Sequence, residues 1–285
     1  MKVAILIAGF PRFTEYFNWN ITNVFDKIDH VDFEIHSCTW NITAENLLKY
    51  KSTSDKNQTD TMMPSYDSIL HSNNNNEIMK KLFSNTCLVR NDFNNFCHMT
   101  GRIVGLNEVY KFANTSEIDY FLYVRTDSIF DPESFISNFN TLISMLKKIK
   151  DSGENGMVIP LTKFLKGYGV IGDWWWAFDK NTAKNLFDNF YEKFIDLFTN
   201  ENNLYHMLSK PDWMYTHLAC SCWFNYNDCH TIDFNYVNGS PIGCILIRHS
   251  ATKIKNINDL SYKDWVDLYY EVQEQMCISP VEKTF

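Results

Sequence analysis

Two charged side chains interrupt an apolar segment near the middle of the chain. The segment Ile118 to Phe130 reads IDYFLYVRTDSIF, and Arg125 and Asp127 lie towards its carboxyl end. A charge within a buried strand costs free energy unless it is paired or used, and open α/β sheets bind ligands at the carboxyl ends of their strands. We therefore expect Asp127 to bind a divalent cation or a sugar hydroxyl while Arg125 neutralises phosphate. The alternative is a structural ion pair at the end of the strand.

A second candidate follows the first apolar run of the sequence. Residues Val3 to Ala8 are apolar, and Gly9, Phe10, Pro11 and Arg12 come next. A glycine at this position allows the backbone to approach a ligand closely, and Arg12 is placed to neutralise a diphosphate. The alternative is an ordinary turn between a strand and a helix, with an arginine in solvent.

A glycine-rich segment precedes three consecutive tryptophans. Residues 167–172 match the pattern G-x-G-x-x-G, but a dinucleotide-binding loop must open a helix, and here Asp173 and a bulky aromatic run follow. We expect a flexible loop that leads into an aromatic strand. Since pyranose rings stack on tryptophan, Trp174, Trp175 and Trp176 are candidates for an acceptor-sugar platform, and core packing of at least one of them is the alternative. Asp173 is a candidate general base or a partner for a sugar hydroxyl.

Three features of the second half have two interpretations each. His249 follows an expected late strand, and it ligates a metal or phosphate or has a structural role. Asp212 precedes an expected helix, where it serves either as the N-cap or as a general base. A cluster of thiols and an imidazole departs from the spacing of structural zinc sites, so buried reduced thiols are the alternative that we favour. The cluster consists of Cys220, Cys222, Cys229 and His230.

The composition is that of a globular protein with an acidic balance. The 285 residues include 34 acidic and 26 basic side chains, a net charge of −8, and 45% of the residues are hydrophobic. This leaves ample material for a core, and the lack of a basic block argues against a general nucleic-acid surface. No apolar run approaches the roughly 20 residues of a membrane-spanning helix, and no secretory signal is recognisable. We therefore expect a cytoplasmic protein with reduced cysteines.

The elements that must position the candidate residues alternate between strand and helix. Apolar runs at 3–8 and 31–40, with a helical periodicity at 13–28 between them, form a βαβ unit, which is typical of parallel α/β sheets. Further helices are expected at 98–113, 132–150, 180–198 and 211–223, and further strands at 118–130, 156–160, 174–178 and 243–248. The polar stretch 51–77 is expected to be a surface loop, and 262–276 is amphipathic. We predict an α/β fold over a single domain, 1–285, with a mostly parallel central sheet flanked by helices.

In their order, these segments resemble those of GT-A-fold glycosyltransferases, and most closely the capsule- and lipopolysaccharide-type group. The resemblance rests on three strand ends, Gly9-Phe10-Pro11-Arg12, His36-Ser37-Cys38-Thr39-Trp40 and Arg125-Thr126-Asp127, and on the segment Gly172 to Phe178. In that group the metal-binding Asp-x-Asp motif is often written Arg-x-Asp. The resemblance implies a Rossmann-like GT-A domain in which residues 1–130 bind a nucleotide sugar, 131–250 face the acceptor and 251–285 form a helical tail.

The resemblance also implies roles for single residues. The donor would lie against Ala8, Gly9, Phe10, Arg12, Thr39, Arg125 and Asp127. A divalent metal, Mn²⁺ or Mg²⁺, would be held by Asp127 and His249, although Arg125 replaces the first acid of the motif and a guanidinium can itself neutralise phosphate. An inverting transfer also needs a carboxylate that takes the proton of the acceptor. Asp173 is the first candidate for that base and Asp212 the second.

The expected function is transfer of a sugar from a nucleotide-diphosphate sugar to a glycan, glycoprotein or glycolipid. A carbohydrate-binding module that uses the tryptophans is one alternative, and it leaves Arg125 and Asp127 unexplained. A nucleotidyltransferase, which consumes a nucleoside triphosphate and releases pyrophosphate, is another. The sequence lacks G-x-S-x-G, H-E-x-x-H and G-x-x-x-x-G-K-[ST], which argues against common serine hydrolases, zincin proteases and P-loop kinases. Its asparagine-rich composition fits an AT-rich bacterial or viral genome.

Overall fold

A central, mostly parallel sheet organises an α/β fold in this computed structural model. The structure describes residues 1–9, 14–39, 93–113, 116–125, 128–160, 162–165, 168–172, 174–199, 215–238, 242–246 and 259–268. Its strands are β1 (Lys2–Gly9), β2 (Asp32–Thr39), β3 (Tyr120–Val124), β4 (Ser128–Phe130), β5 (Gly156–Ile159), β6 (Thr162–Leu165), β7 (Tyr168–Ile171), β8 (Trp175–Asp179), β9 (His230–Asp233) and β10 (Cys244–Leu246). The central sheet has six strands in the order β2-β1-β3-β8-β5-β9, of which β8 runs antiparallel to its neighbours. The pairs β4–β10 and β6–β7 lie outside it.

Helices cover both faces of the central sheet. They are α1 (Thr14–Asn23), α2 (Phe93–Ala113), α3 (Pro132–Ser152), α4 (Lys180–Phe187), α5 (Phe190–Thr199), α6 (Tyr215–Tyr226) and α7 (Phe234–Asn238). Buried side chains of α2, α4, α5 and α6 pack on one face, which we call face A. Those of α1, α3 and α7 pack on the other, face B. None of the helices in the described ranges has the length and apolarity that a membrane crossing requires.

The alternation of side chains along the central strands divides the core in two. In β1, Leu6 packs on face A, whereas Ile5 and Ile7 pack on face B. A strand that is covered on both faces reads as a continuous apolar run, which explains the sequence of β1 and of β3. By contrast, β2 is an edge strand of the sheet, and its Ile35 is 40% exposed.

Helix α3 illustrates how local sequence sets the ends of an element. Its N-cap is Asp131 and Pro132 occupies the first turn, where the missing amide proton costs nothing. Its C-cap is Gly153 at φ 74°, in the left-handed region that favours glycine. The helix follows β4 directly, so the N-cap at Asp131 marks where the chain leaves β4.

The structure differs from the predicted elements in several places, and β6, β9 and α7 match no predicted element. The strand predicted at 118–130 is two strands, because the chain leaves the central sheet at Arg125 and resumes at Ser128 as β4. The helix predicted at 180–198 is interrupted at Asn189, whose φ of 53° ends α4 and allows α5 to start in a new direction. The helix predicted at 13–28 ends at Asn23 and is followed by a 3₁₀ turn. The glycine-rich loop is partly a strand, since β7 pairs with β6.

Candidate functional site

The carboxyl ends of the parallel strands form one edge of the central sheet, the carboxyl edge, and three predicted donor-site residues lie there. Gly9 and Thr39, the last residues of β1 and β2, are register partners, and Ala8 is buried. Strand β1 also pairs with β3 up to the last residue of β3, Val124. Arg125 therefore leaves the sheet beside the end of β1. Gly9, the last residue of β1, and Arg125 thus lie at the same edge.

Arg125 is buried where β3 leaves the sheet. Only 8% of its surface is exposed, and a guanidinium keeps its charge at any pH that the protein experiences. Its amide donates to the carbonyl of Trp174 at 3.4 Å, and its own carbonyl accepts from the amide of Ser128 at 3.2 Å. A buried cation is costly unless anions or polar groups surround it. An internal ion pair and a bound phosphate both meet that requirement.

A wholly buried asparagine of α1 holds the segment that follows Arg125. Nδ2 of Asn20 donates to the carbonyl of Ser128 at 2.6 Å, and Oδ1 of Asn20 accepts from the amide of Phe130 at 3.0 Å. Ser128 is also wholly buried, and its Oγ donates to the carbonyl of Trp174 at 3.2 Å. We call Asn20, Ser128 and the Trp174 carbonyl the edge clamp. The clamp ties α1 to β4 and to the residue that precedes β8.

The backbone on both sides of position 173 is fixed by hydrogen bonds. On one side, Nε1 of Trp176 donates to the carbonyl of Gly172 at 2.7 Å. On the other, the carbonyl of Trp174 accepts from Oγ of Ser128 and from the amide of Arg125. Asp173 itself lies outside the described residues, so its assignment as a base remains a prediction, but its two neighbours belong to the carboxyl edge.

A histidine of α6 adds a third contact to this segment. His217 lies in the first turn of α6, where it is half-buried. Its Nδ1 lies 2.9 Å from the carbonyl of Ile171, the last residue of β7. Helix α6 leads into β9, which runs in the same direction as β5 and β3. The C-terminal end of α6 is therefore near the amino ends of these strands, and its N-terminal end lies towards the carboxyl edge. The contact joins a helix of face A to the strand that leads into position 173.

The structure corrects the expectation of a platform of three tryptophans. Trp175 and Trp176 are each 1% exposed and pack on opposite faces of the sheet. The ring of Trp176 stacks on Tyr123 with centroids 4.6 Å apart, and that of Trp175 meets Phe234 edge-on. Consecutive residues of a strand point to opposite faces, so both rings are core and neither presents a face to a sugar. Trp174 is half-buried, and it alone of the three remains a candidate.

The pair β4–β10 contains the described residues that are nearest in sequence to two metal-ligand candidates. Leu246, the last residue of β10, is the register partner of Ser128. Asp127 precedes Ser128, and His249 follows Leu246 by three positions. Asp127 and His249 lie outside the described residues, as do Phe10, Arg12, Asp173 and Asp212.

The cysteine cluster is made of protonated thiols in the core. Burial raises the pKa of the Cys222 thiol, and burial together with the charge of Asp179 raises that of Cys229 to about 12. Cys220 is buried as well, and these three thiols form no disulfide. Within the part of the chain that the structure describes, no three histidine, cysteine, aspartate or glutamate side chains group closely enough to hold a metal ion. The contacts thus favour buried thiols over zinc for this cluster.

Comparisons with known proteins give a distant likeness in fold. No protein-family model and no curated protein matches the sequence. The structure is similar to 4-diphosphocytidyl-2C-methyl-D-erythritol synthase from Anaerococcus prevotii, with a TM-score of 0.38 and 14% identity over 96% of this chain and 98% of that one. It is also similar to mannose-1-phosphate geranyltransferase from Thermus thermophilus, with a TM-score of 0.30 and 10% identity over 87% of this chain and 74% of that one. Likeness at this level assigns no function.

Sequence reasoning missed three residues that build the carboxyl edge. Asn20 lies within a predicted helix, Ser128 within a predicted strand, and His217 carries no recognisable motif. Each acts through a backbone group that is distant along the chain, and that kind of partner leaves no spacing pattern. Of the three, only Ser128 has a sequence signal. It follows two charged residues in an apolar run, which indicates that β3 has ended before it.

Proposed function

We propose that this protein is a glycosyltransferase that moves a sugar from a nucleotide-diphosphate sugar to a glycan, glycoprotein or glycolipid acceptor. The observation that carries the proposal is the buried Arg125, whose backbone is hydrogen-bonded to Trp174 at the carboxyl edge. The segment expected to bind the donor phosphates thereby adjoins the segment expected to meet the acceptor. Two substrates must lie side by side in a transfer reaction, and this contact provides for that.

On the donor side, the proposal places the nucleotide against the ends of β1 and β2. Gly9 and Thr39 are register partners there, and a glycine permits close approach of the backbone to a phosphate. Arg12 follows Gly9 by three positions in the sequence. The buried guanidinium of Arg125 and the side chain of Arg12 would then stabilise the negative charge that develops on the departing diphosphate.

The side-chain types proposed as metal ligands, next to β4 and β10 in the sequence, suit a divalent cation. A carboxylate and an imidazole are ligands that Mn²⁺ accepts, and the paired residues Ser128 and Leu246 are one and three positions from Asp127 and His249 in the sequence, which supports this choice of ligands. Asp127 and His249 would hold the ion, which supplies charge neutralisation to the diphosphate when bound. Arg125 also supplies positive charge to the donor phosphates in this proposal. We therefore expect the metal to enhance donor binding and not to be required for it.

On the acceptor side, Asp173 is the first candidate for the base. In an inverting reaction the acceptor hydroxyl gives its proton to the Asp173 carboxylate while its oxygen bonds to the anomeric carbon of the donor. The bond from that carbon to the diphosphate oxygen breaks, and its electron pair stays on the diphosphate. The carbonyls of its neighbours Gly172 and Trp174 are both hydrogen-bonded, which supports the choice because a catalytic base needs a pre-organised surrounding. Asp212 precedes His217 by five positions and is the second candidate.

The first experiment is a thermal-shift panel of UDP-, GDP- and dTDP-linked sugars, each with and without Mn²⁺ or Mg²⁺. A ligand at 100 times its dissociation constant stabilises the folded state by about 2.7 kcal/mol, so a true donor gives a clear shift. Asp127→Ala should remove the metal-dependent part of the shift while the melting temperature without ligand stays within a few degrees. The control is Asp151→Ala, an exposed carboxylate on α3, which should leave the shift intact.

Turnover of the responsive donor then tests the base. Asp173→Asn should lower the rate of sugar transfer with donor binding retained, and unchanged turnover would move the role to Asp212. A large loss of stability in Asp127→Ala would favour the structural ion pair. If no nucleotide sugar changes the melting temperature and free glycans raise it, the transferase is rejected and a carbohydrate-binding module is favoured.

A nucleotidyltransferase would be distinguished from a glycosyltransferase by the phosphate compound that it releases. It would consume a nucleoside triphosphate and a sugar phosphate and release pyrophosphate, whereas a glycosyltransferase releases a nucleoside diphosphate. The same panel, extended with triphosphates and sugar 1-phosphates and followed by ³¹P NMR, distinguishes the two products directly.

A further inference from the structure

The contact between His217 and Ile171 defines the tautomer of the histidine. A carbonyl oxygen can only accept a hydrogen bond, so Nδ1 of His217, 2.9 Å from the oxygen of Ile171, must carry the proton. Nδ1 is protonated in the neutral ring of this tautomer and in the imidazolium alike. The hydrogen bond therefore persists through the titration of the ring.

The contact lies at the upstream end of the segment that surrounds position 173. Its downstream end, Trp174, is held by the β3–β4 connection, and Gly172 is held by the nearby Trp176. The bond from His217 comes from α6, which packs on face A against β7 and α2. This hydrogen bond therefore attaches the end of β7 to a helix that packs in the core.

We propose that His217 is a positioning residue, which holds the backbone at Ile171 and thereby the chain that leads from β7 to the proposed acceptor side. The proposal rests on the proposed function for the role of Asp173, whereas the contact that it invokes does not. A displacement of about 1 Å in a reacting group can cost on the order of 100-fold in rate. Loss of the contact should accordingly lower kcat by about 10- to 100-fold and leave the KM for the nucleotide sugar unchanged.

Three variants separate positioning from proton transfer. In His217→Asn, the amide Nδ2 occupies roughly the place of Nδ1, so the donor to Ile171 is kept and the titratable ring is lost. In His217→Ala the donor is lost, and in His217→Gln the amide lies farther out, near the place of Nε2. We expect the asparagine variant to keep kcat within about threefold with an unchanged pH profile, and the alanine and glutamine variants to lose 10- to 100-fold. Ser221→Ala is the control, because the Oγ of Ser221 donates to the His217 carbonyl within the helix and, among the described residues, to no other group.

Hydrogen exchange provides a measure that does not depend on activity. Amides in a peptide over 168–176 should exchange several-fold faster in His217→Ala and His217→Gln than in the parent and in His217→Asn, while a peptide over 3–8 in β1 is unaffected. Unchanged exchange in His217→Ala would overturn the positioning role, and so would equal losses of kcat in the asparagine and alanine variants. If the parent transfers no sugar from any donor, the proposed function fails, and the exchange measurements still decide whether His217 holds the segment. Should His217→Ala not fold, the comparison of the glutamine and asparagine variants decides the same question.

Discussion

The edge clamp makes a quantitative prediction about Asn20. This side chain is wholly buried and satisfies two backbone groups, the Ser128 carbonyl at 2.6 Å and the Phe130 amide at 3.0 Å. Asn20→Ala removes both partners at once. A buried polar group that loses its partner costs about 1–3 kcal/mol, so the two groups together should lower the free energy of unfolding by about 4 kcal/mol.

A second variant removes only the contact with the Ser128 carbonyl and opens no cavity. Asn20→Asp has the shape of the parent and keeps the acceptor for the Phe130 amide, but it places a carboxylate oxygen against the Ser128 carbonyl. Two acceptors at that separation repel each other, and a buried carboxylate that keeps one amide donor is still costly. Burial and this repulsion raise the pKa of the new carboxyl above its ordinary value. We expect Asn20→Asp to be destabilised at neutral pH by at least as much as Asn20→Ala, and to regain stability as the pH falls towards about 4, because the carboxyl in the folded state then becomes protonated and can donate.

The assay is urea unfolding followed by tryptophan fluorescence, with the slope m as an internal check of two-state behaviour. The matched control is Asn23→Ala on the same helix, because Asn23 is half-buried and bonds only to the carbonyl of Trp19 one turn back. Its loss should stay within about 0.5 kcal/mol. A loss below about 1 kcal/mol in Asn20→Ala, equal to that of the control, would mean that the clamp does not hold β4 to α1.

Two further predictions concern the aromatic strand and the buried thiols. Trp176→Ala should cost about 3–5 kcal/mol in urea unfolding, as is usual for a buried large side chain, whereas Trp174→Ala should cost clearly less and instead raise the KM for the acceptor. Equal losses of stability would contradict the assignment of Trp174 to the site. The pKa of Cys229 is raised from 9.0 to about 12, so its contribution to stability is complete below pH 9 and is lost as the pH rises towards 12. The urea midpoint should therefore fall above pH 9, and less steeply in Cys229→Ala; an identical slope would exclude this thiol as a source of the fall.

The α/β fold was predictable because its signals are local. The apolar run of β1, the βαβ unit and the periodicity of α3 follow from residues close together in sequence, and the structure confirms a mostly parallel central sheet. The break of the strand at Arg125 could not be read from apolarity, since Ser128 to Phe130 is as buried as the strand before it. Strand β9 was missed for the opposite reason, because an edge strand that begins with exposed His230 and Thr231 has no apolar run.

The contacts around the candidate site were only partly predictable. The rule that ligands bind at the carboxyl ends of strands led from the charges at Arg125 and Asp127 to the carboxyl edge, where Arg125 lies in the structure. It could not separate the three tryptophans, because their faces depend on the register of β8 with β3, which pairs Tyr123 with Trp176. It could not find Asn20 either, since the partners of that side chain are backbone groups more than a hundred residues away.

The contacts that build the carboxyl edge share a chemical character that bears on function. Asn20, Ser128 and His217 all bond to backbone carbonyls, so they fix where the chain runs whatever side chains it carries at positions 127 and 173. An edge built in this way can support transfer of a sugar or of a nucleotidyl group, because both reactions need a phosphate-binding side and an acceptor side in contact. The two reactions differ in the bond that breaks, which is carbon to oxygen in one and phosphorus to oxygen in the other. The identity of the released phosphate, nucleoside diphosphate or pyrophosphate, is therefore the measurement that discriminates between them, and variants of the three positioning residues should slow whichever reaction occurs.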